Sequence, residues 1–145
     1  MIILPNLTRI IVTEDDERFL QQFESCVLDP ATFDHKAHLR VAWLYLHSGD
    51  LLSACEKTCR GIRRFAESNG AHDKFHRTIT EFLVRAMDAR IGDNNDDDFE
   101  QFLQRNPDLA SDALGLIQRS YSRERLGSPK ARAAWLAPDL TAVAA

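Results

Sequence analysis

Residues 33–68 read FDHKAHLRVAWLYLHSGDLLSACEKTCRGIRRFAES, and this stretch decides the fold. Leu39, Ala42, Trp43 and Leu46 recur at helical spacing and mark a broad buried face on a helix predicted from about Phe33 to Ser48. Gly49 is a natural C-terminal stop, because glycine accepts the left-handed backbone that ends a helix. Asp50 is a natural cap, because a short carboxylate accepts from the free N–H groups that begin one. The next helix spans roughly Leu51 to Ser68, with Leu52, Cys55, Cys59, Ile62 and Ala66 as its stripe and Asn69-Gly70 as its end.

Toward the N-terminus, Thr13 is a good cap for a first helix. Glu14, Asp15 and Asp16 load its first turn with charge that suits the helix dipole. Phe19, Phe23, Cys26 and Val27 follow at helical spacing, and Asp29-Pro30 ends the helix. Toward the C-terminus, a fourth helix runs from about Lys74 to Arg90, with Ile79, Phe82, Leu83, Ala86 and Met87 inside and Gly92 as its stop. Shorter helices are predicted at about 97–105, 107–119 and 128–136, where Pro107 and Pro129 suit first-turn positions. The predicted fold is all-α: a four-helix-bundle-like core with short extra C-terminal helices. Residues 1–12 read as an extended N-terminal arm, 13–140 as a single helical domain and 141–145 as a tail. A faint tetratricopeptide flavour in AWLYLHSGDLLSACEKTCRGI occurs once, and a solenoid needs several stacked copies.

The chain has 145 residues, 44% of them hydrophobic and 28% charged, which is ordinary for one globular domain. A net charge of −4 supplies no basic footprint for nucleic acid or an anionic membrane. No apolar run is long enough to cross a bilayer. The opening MIILPNLTRIIV lacks a basic leader, so a cytoplasmic location is expected. In a reducing compartment the odd set Cys26, Cys55 and Cys59 reads as free thiols. Cys55 and Cys59 share one helix face, a spacing that could hold Cu(I) or Zn, although buried cysteines acting as small apolar side chains are the commoner case. The acidic stretch Asp93–Asp98 fails as a calcium loop: Asp98 stands where glycine is needed and Gln104 where a bidentate Glu is needed.

The sharpest chemical feature is a set of five histidines between His35 and His76. His35 and His38 are three apart on one helix face, and His72 and His76 are four apart. His47, at the far end of the second helix, reads as a surface residue. The second and fourth helices run parallel in an up-down bundle, so His38 and His76, both near helix N-termini, lie at one level. The C-terminal part of the first helix lies there too and brings Glu24. The candidate metal set is therefore His35, His38, His76 and Glu24, with His72 as a weaker member. These donors suit one transition metal ion (Fe, Zn, Cu or Ni) with a position open for catalysis. Without a metal, His38 or His76 still suits acid–base work. Thr80, Tyr121 and Arg132 are candidate substrate contacts. Thr80 is one turn on from His76, Tyr121 carries a phenol, and Arg132 can bind an anion bidentately.

FDHKAHLRVAWLYL, KFHRTITEFL and YSRERLGSPKARAAWLAPDL together carry an F-x-H-x-x-H … H-x-T-x-T … S-P-x-A-R pattern. It resembles a group of small bacterial helical proteins of uncharacterised activity. The resemblance implies that His35, His38, His76, Thr80 and Arg132 belong to one site. In architecture alone the layout is similar to DinB-type four-helix proteins, which bind a metal through three histidines. The function expected from the sequence is a small metal-dependent enzyme acting on a small molecule. The alternative is a non-enzymatic helical interaction domain with structural histidines, dimerising through the apolar arm.

Overall fold

Thr13 begins the first helix, α1 (Glu14–Glu24), through a reciprocal cap. Its hydroxyl accepts from the Asp16 N–H at 3.1 Å, and its own N–H donates to the Asp16 carboxylate at 3.0 Å. The computed structural model describes residues 11–92 and 96–141, without the side chain of His72. Asp34 and Asp50 cap α2 (His35–Leu46) and α3 (Leu51–Ser68), each accepting from the N–H three residues on. Then come α4 (Arg77–Ile91), α5 (Phe99–Arg105), α6 (Pro107–Ser111), α7 (Ala113–Ser120), α8 (Arg123–Leu126) and α9 (Pro129–Ala133). Among the described residues the structure is all-helical, and no helix is long and apolar enough to cross a membrane. The arm expected to make a dimer contact falls mostly on residues 1–10, outside the described residues.

Three predicted boundaries move, each for a local reason. α1 stops at Glu24, short of Asp29-Pro30, because Cys26 takes a left-handed φ of 60° and both the Val27 and Leu28 N–H groups turn back to the Gln22 carbonyl. α4 begins at Arg77 because His76 is its cap. The single helix expected over 107–119 breaks at Asp112, whose backbone (φ −143°, ψ 39°) is not helical.

The most extensive packing is among α2, α3 and α4. Trp43, Phe82 and Met87 are fully buried at its centre, with Phe99 of α5 tilted against Trp43 at 5.7 Å. α1 packs on α2 and α3, while α7 and α9 pack on α4 and α6 on α2. α1 packs less extensively than these three helices do on one another, and short C-terminal helices also cover α4. On α3 the buried set is Ala54, Cys55, Thr58, Cys59, Ile62 and Phe65. The predicted stripe member Leu52 is 70% exposed, because it sits roughly 90° from the centre of that arc.

Long-range pairs fix how α1 lies on α2 and α3. Asp16 pairs with Arg40, and Glu24 accepts from Tyr45. In the segment between α1 and α2, Phe33 stacks on Phe23 and lies 4.2 Å from the His38 ring. α1 approaches α3 closely at Gly61, where a Cβ would stand 2.7 Å from the Phe23 ring.

Candidate functional site

α2 and α4 both run antiparallel to α3, so their N-terminal halves lie side by side. Between them, floored by Ile62 of α3, is a cavity of about 360 Å³. His35, His38, His76 and Thr80 all line it, together with Lys74 and an apolar wall that includes Phe33, Phe75 and Leu83. The three favoured histidines thus line one cavity.

The three rings are committed differently. His76 uses both nitrogens. Its Nδ1 accepts from the Ile79 N–H at 3.2 Å as the cap of α4, and its Nε2–H donates to the Leu126 carbonyl at 2.8 Å. His35 is exposed and donates Nε2–H to the Leu109 carbonyl at 2.8 Å, tying α2 to α6. His38 donates Nδ1–H to the Asp34 carbonyl at 2.7 Å. A carbonyl can only accept, so Nδ1 carries a proton, and the Nε2 of His38 makes no hydrogen bond among the described residues. Burial pulls the His38 pKa below the ordinary histidine value. The neighbouring His35 acts in the same direction, and the Asp34 carbonyl and carboxylate oppose it.

Glu24 does not join this set. It accepts from the Tyr45 hydroxyl at 2.6 Å and lines a separate cavity with Lys57, Arg60 and Arg64. Tyr45 is two helical turns past His38, and Glu24 bonds there rather than at the histidines. His72 begins a 3-10 turn, and its side chain lies outside the described residues. Among the described residues no group of three or more His, Cys, Asp or Glu side chains stands together in a way that could hold a metal ion. The expectation of a transition-metal centre on His35, His38, His76 and Glu24 finds no support in this arrangement, since His76 has no nitrogen left for a ligand bond. Cys55 and Cys59 are buried, and burial raises their thiols to about 11 and about 12, the behaviour of small apolar side chains.

The candidate substrate contacts also divide. The Thr80 hydroxyl donates to the His76 carbonyl at 2.8 Å, the back-bond of a helix threonine. Tyr121 is buried and donates to the Leu136 carbonyl at 2.6 Å, with its ring edge-on to Phe82. Arg132 lies over the turn before α4. One amino nitrogen donates to the carbonyls of Asp73 and Phe75 at 2.8 and 2.9 Å. His47 is half-buried rather than on the surface: it is tilted against Trp43 at 4.2 Å and donates Nδ1–H to the Trp43 carbonyl.

Two positioning groups escape a reading by spacing. Thr78, fully buried, donates to the Ala134 carbonyl and accepts from the Leu136 N–H, so it clamps the last segment of the chain onto α4. Glu81 is a buried carboxylate held by Arg77 and Arg85 one turn to either side, and Arg85 in turn lies 4.6 Å over the Trp135 ring. The signal for the second was present as Arg and Glu four residues apart on a helix. No protein-family model, curated protein or solved structure matches the chain.

Proposed function

We propose that the chain is a small-molecule enzyme that works by proton transfer at His38, without a metal ion, in the cavity between α2 and α4. The observation that carries this reading is the state of His38. Its Nδ1–H is fixed on the Asp34 carbonyl, its Nε2 makes no hydrogen bond among the described residues, and burial in the cavity wall disfavours the charged ring. A neutral imidazole with its tautomer fixed from behind is equipped to take a proton from a substrate or from an attacking water. The Asp34 carbonyl and carboxylate then stabilise the imidazolium that forms. His35 ties α2 to α6, and His76 holds the start of α4 in place.

Hydrolysis of p-nitrophenyl butyrate tests the proposal, because its leaving group makes imidazole catalysis measurable without the natural substrate. His38 Nε2 takes the proton of a water that attacks the ester carbonyl, giving butyrate and p-nitrophenol. The protein should exceed the rate of free imidazole by about 10²-fold or more. His38→Gln should abolish that excess, and a chelator should leave it intact. A rate equal to free imidazole, or one unchanged in His38→Gln, overturns the proposal. The structural duties of His35 and His76 favour the alternative of an interaction domain, which predicts no catalysis above free imidazole.

A further inference from the structure

A second concavity adjoins the His38 cavity and shares His76 and Ile79 with it. It encloses about 610 Å³ between α7, α8 and α9. Its polar side chains include Gln118, Ser122, Arg123, Ser128 and Arg132, and none of its lining residues is Asp or Glu. That is unusual in a chain of net charge −4. Arg40, Arg77, Arg85 and Arg90 each meet a carboxylate. Arg123, in contrast, is exposed and its side chain makes no hydrogen bond or ion pair among the described residues. Arg132 spends one amino nitrogen on the Asp73 and Phe75 carbonyls, and the rest of its planar fork is unengaged among the described residues. The carboxylate bonded to the groove wall, Asp139, is occupied through both oxygens by Ser122.

We propose that this groove binds an oxyanion, a carboxylate or a phosphate monoester, on Arg123 and Arg132, as the head group of a small molecule whose apolar part enters the His38 cavity. The second half of that statement rests on reading the His38 cavity as the substrate site. The two backbone carbonyls already hold the Arg132 guanidinium in position, so little side-chain freedom is lost when its remaining N–H groups engage an anion. Arg123 supplies a second cation, and the exposed Gln118 amide adds donors. The apolar side chains of the adjoining cavity, Phe33, Phe75 and Leu83 among them, suit a hydrocarbon or aryl body rather than a second charge.

The test is calorimetric binding to the full chain at low salt, using phenylbutyrate, phenyl phosphate and, as the uncharged counterpart, phenylbutanol. At least one anion should bind about ten-fold or more tighter than the alcohol, and Arg123→Gln should remove that advantage. Which anion binds tighter assigns the groove to carboxylates or to phosphates. The Arg123 side chain is exposed and has no hydrogen bond or ion pair to lose among the described residues, so its replacement leaves the fold intact. Anions that bind no tighter than the alcohol, or an advantage that survives Arg123→Gln, overturn the inference. The imidazole resonances of His38 provide a second readout. If they stay unmoved during Arg123-dependent binding, the oxyanion groove stands and the reading of the His38 cavity falls. If His38 catalyses ester hydrolysis while Arg123 proves irrelevant to anions, the groove falls and the His38 site stands.

Discussion

Thr78→Val is the most discriminating perturbation of the segment that completes the groove. Thr78 is 0% exposed, and its hydroxyl makes two hydrogen bonds to that segment, to the Ala134 carbonyl at 2.7 Å and from the Leu136 N–H at 3.1 Å. Valine keeps the shape and removes both bonds. Each is worth about 1 kcal/mol net. Ala134 is exposed, so water can take over at its carbonyl, whereas Leu136 is only half-exposed and recovers less. The cost is then about 2 kcal/mol, which for a chain of this size lowers Tm by about 7 °C. Thr80→Val is the internal control. Its hydroxyl bonds only the His76 carbonyl, which the Thr80 N–H already occupies, so the same substitution there should cost less than about 0.5 kcal/mol. Calorimetric melts of the two variants measure the difference, and hydrogen exchange at the Leu136 amide locates it. Equal melts, or a Leu136 amide as protected in Thr78→Val as in the parent, would refute the clamp.

Gly61→Ala should also lower Tm, although alanine is the better helix former by about 1 kcal/mol. The new Cβ would stand 2.7 and 2.9 Å from two ring carbons of Phe23, and overpacking of that kind costs about 1–3 kcal/mol; a raised Tm would show that α1 gives way freely. Stability should also depend on pH through His38. Burial lowers its folded pKa below the ordinary value of 6.5, so the unfolded chain binds the proton first. The contribution of His38 is therefore complete above about pH 6.5 and is lost as pH falls through the folded value. Urea unfolding between pH 7.5 and 5 should show this slope. His38→Gln should flatten it, with Asp34 and His35 left in place; an identical slope in the variant counts against a half-buried ring that resists protonation.

α3 was legible to the residue because both its ends carry local chemistry: Asp50 bonds the Ser53 N–H, and Asn69-Gly70 leaves helical geometry. The shared level of His38 and His76 was legible as well, since short links force α2 and α4 into the same sense. Glu24 went astray because nothing local reveals how α1 lies on α2 and α3. That is set by distant pairs, Asp16 with Arg40 and Glu24 with Tyr45. The end of α1 was missed for a related reason: a left-handed Cys26 is not a residue preference but a demand of the return path. The histidine spacing located the cavity but could not tell a cap from a free base. That distinction depends on which backbone groups arrive from α6 and α8, at Leu109 and Leu126.

The burial of Cys55 and Cys59 has a kinetic meaning as well. With thiols raised to about 11 and about 12, the thiolate fraction near pH 8 is on the order of one in a thousand for Cys55 and one in ten thousand for Cys59. Exposures of 2% and 1% keep reagents away in any case. Both sulfurs are therefore chemically silent while α3 lies against α4, and half-buried Cys26 is the thiol a reagent meets first. The slower arrival of label at the other two counts how often the α3–α4 seam comes apart, a clock the chain carries in its native residues.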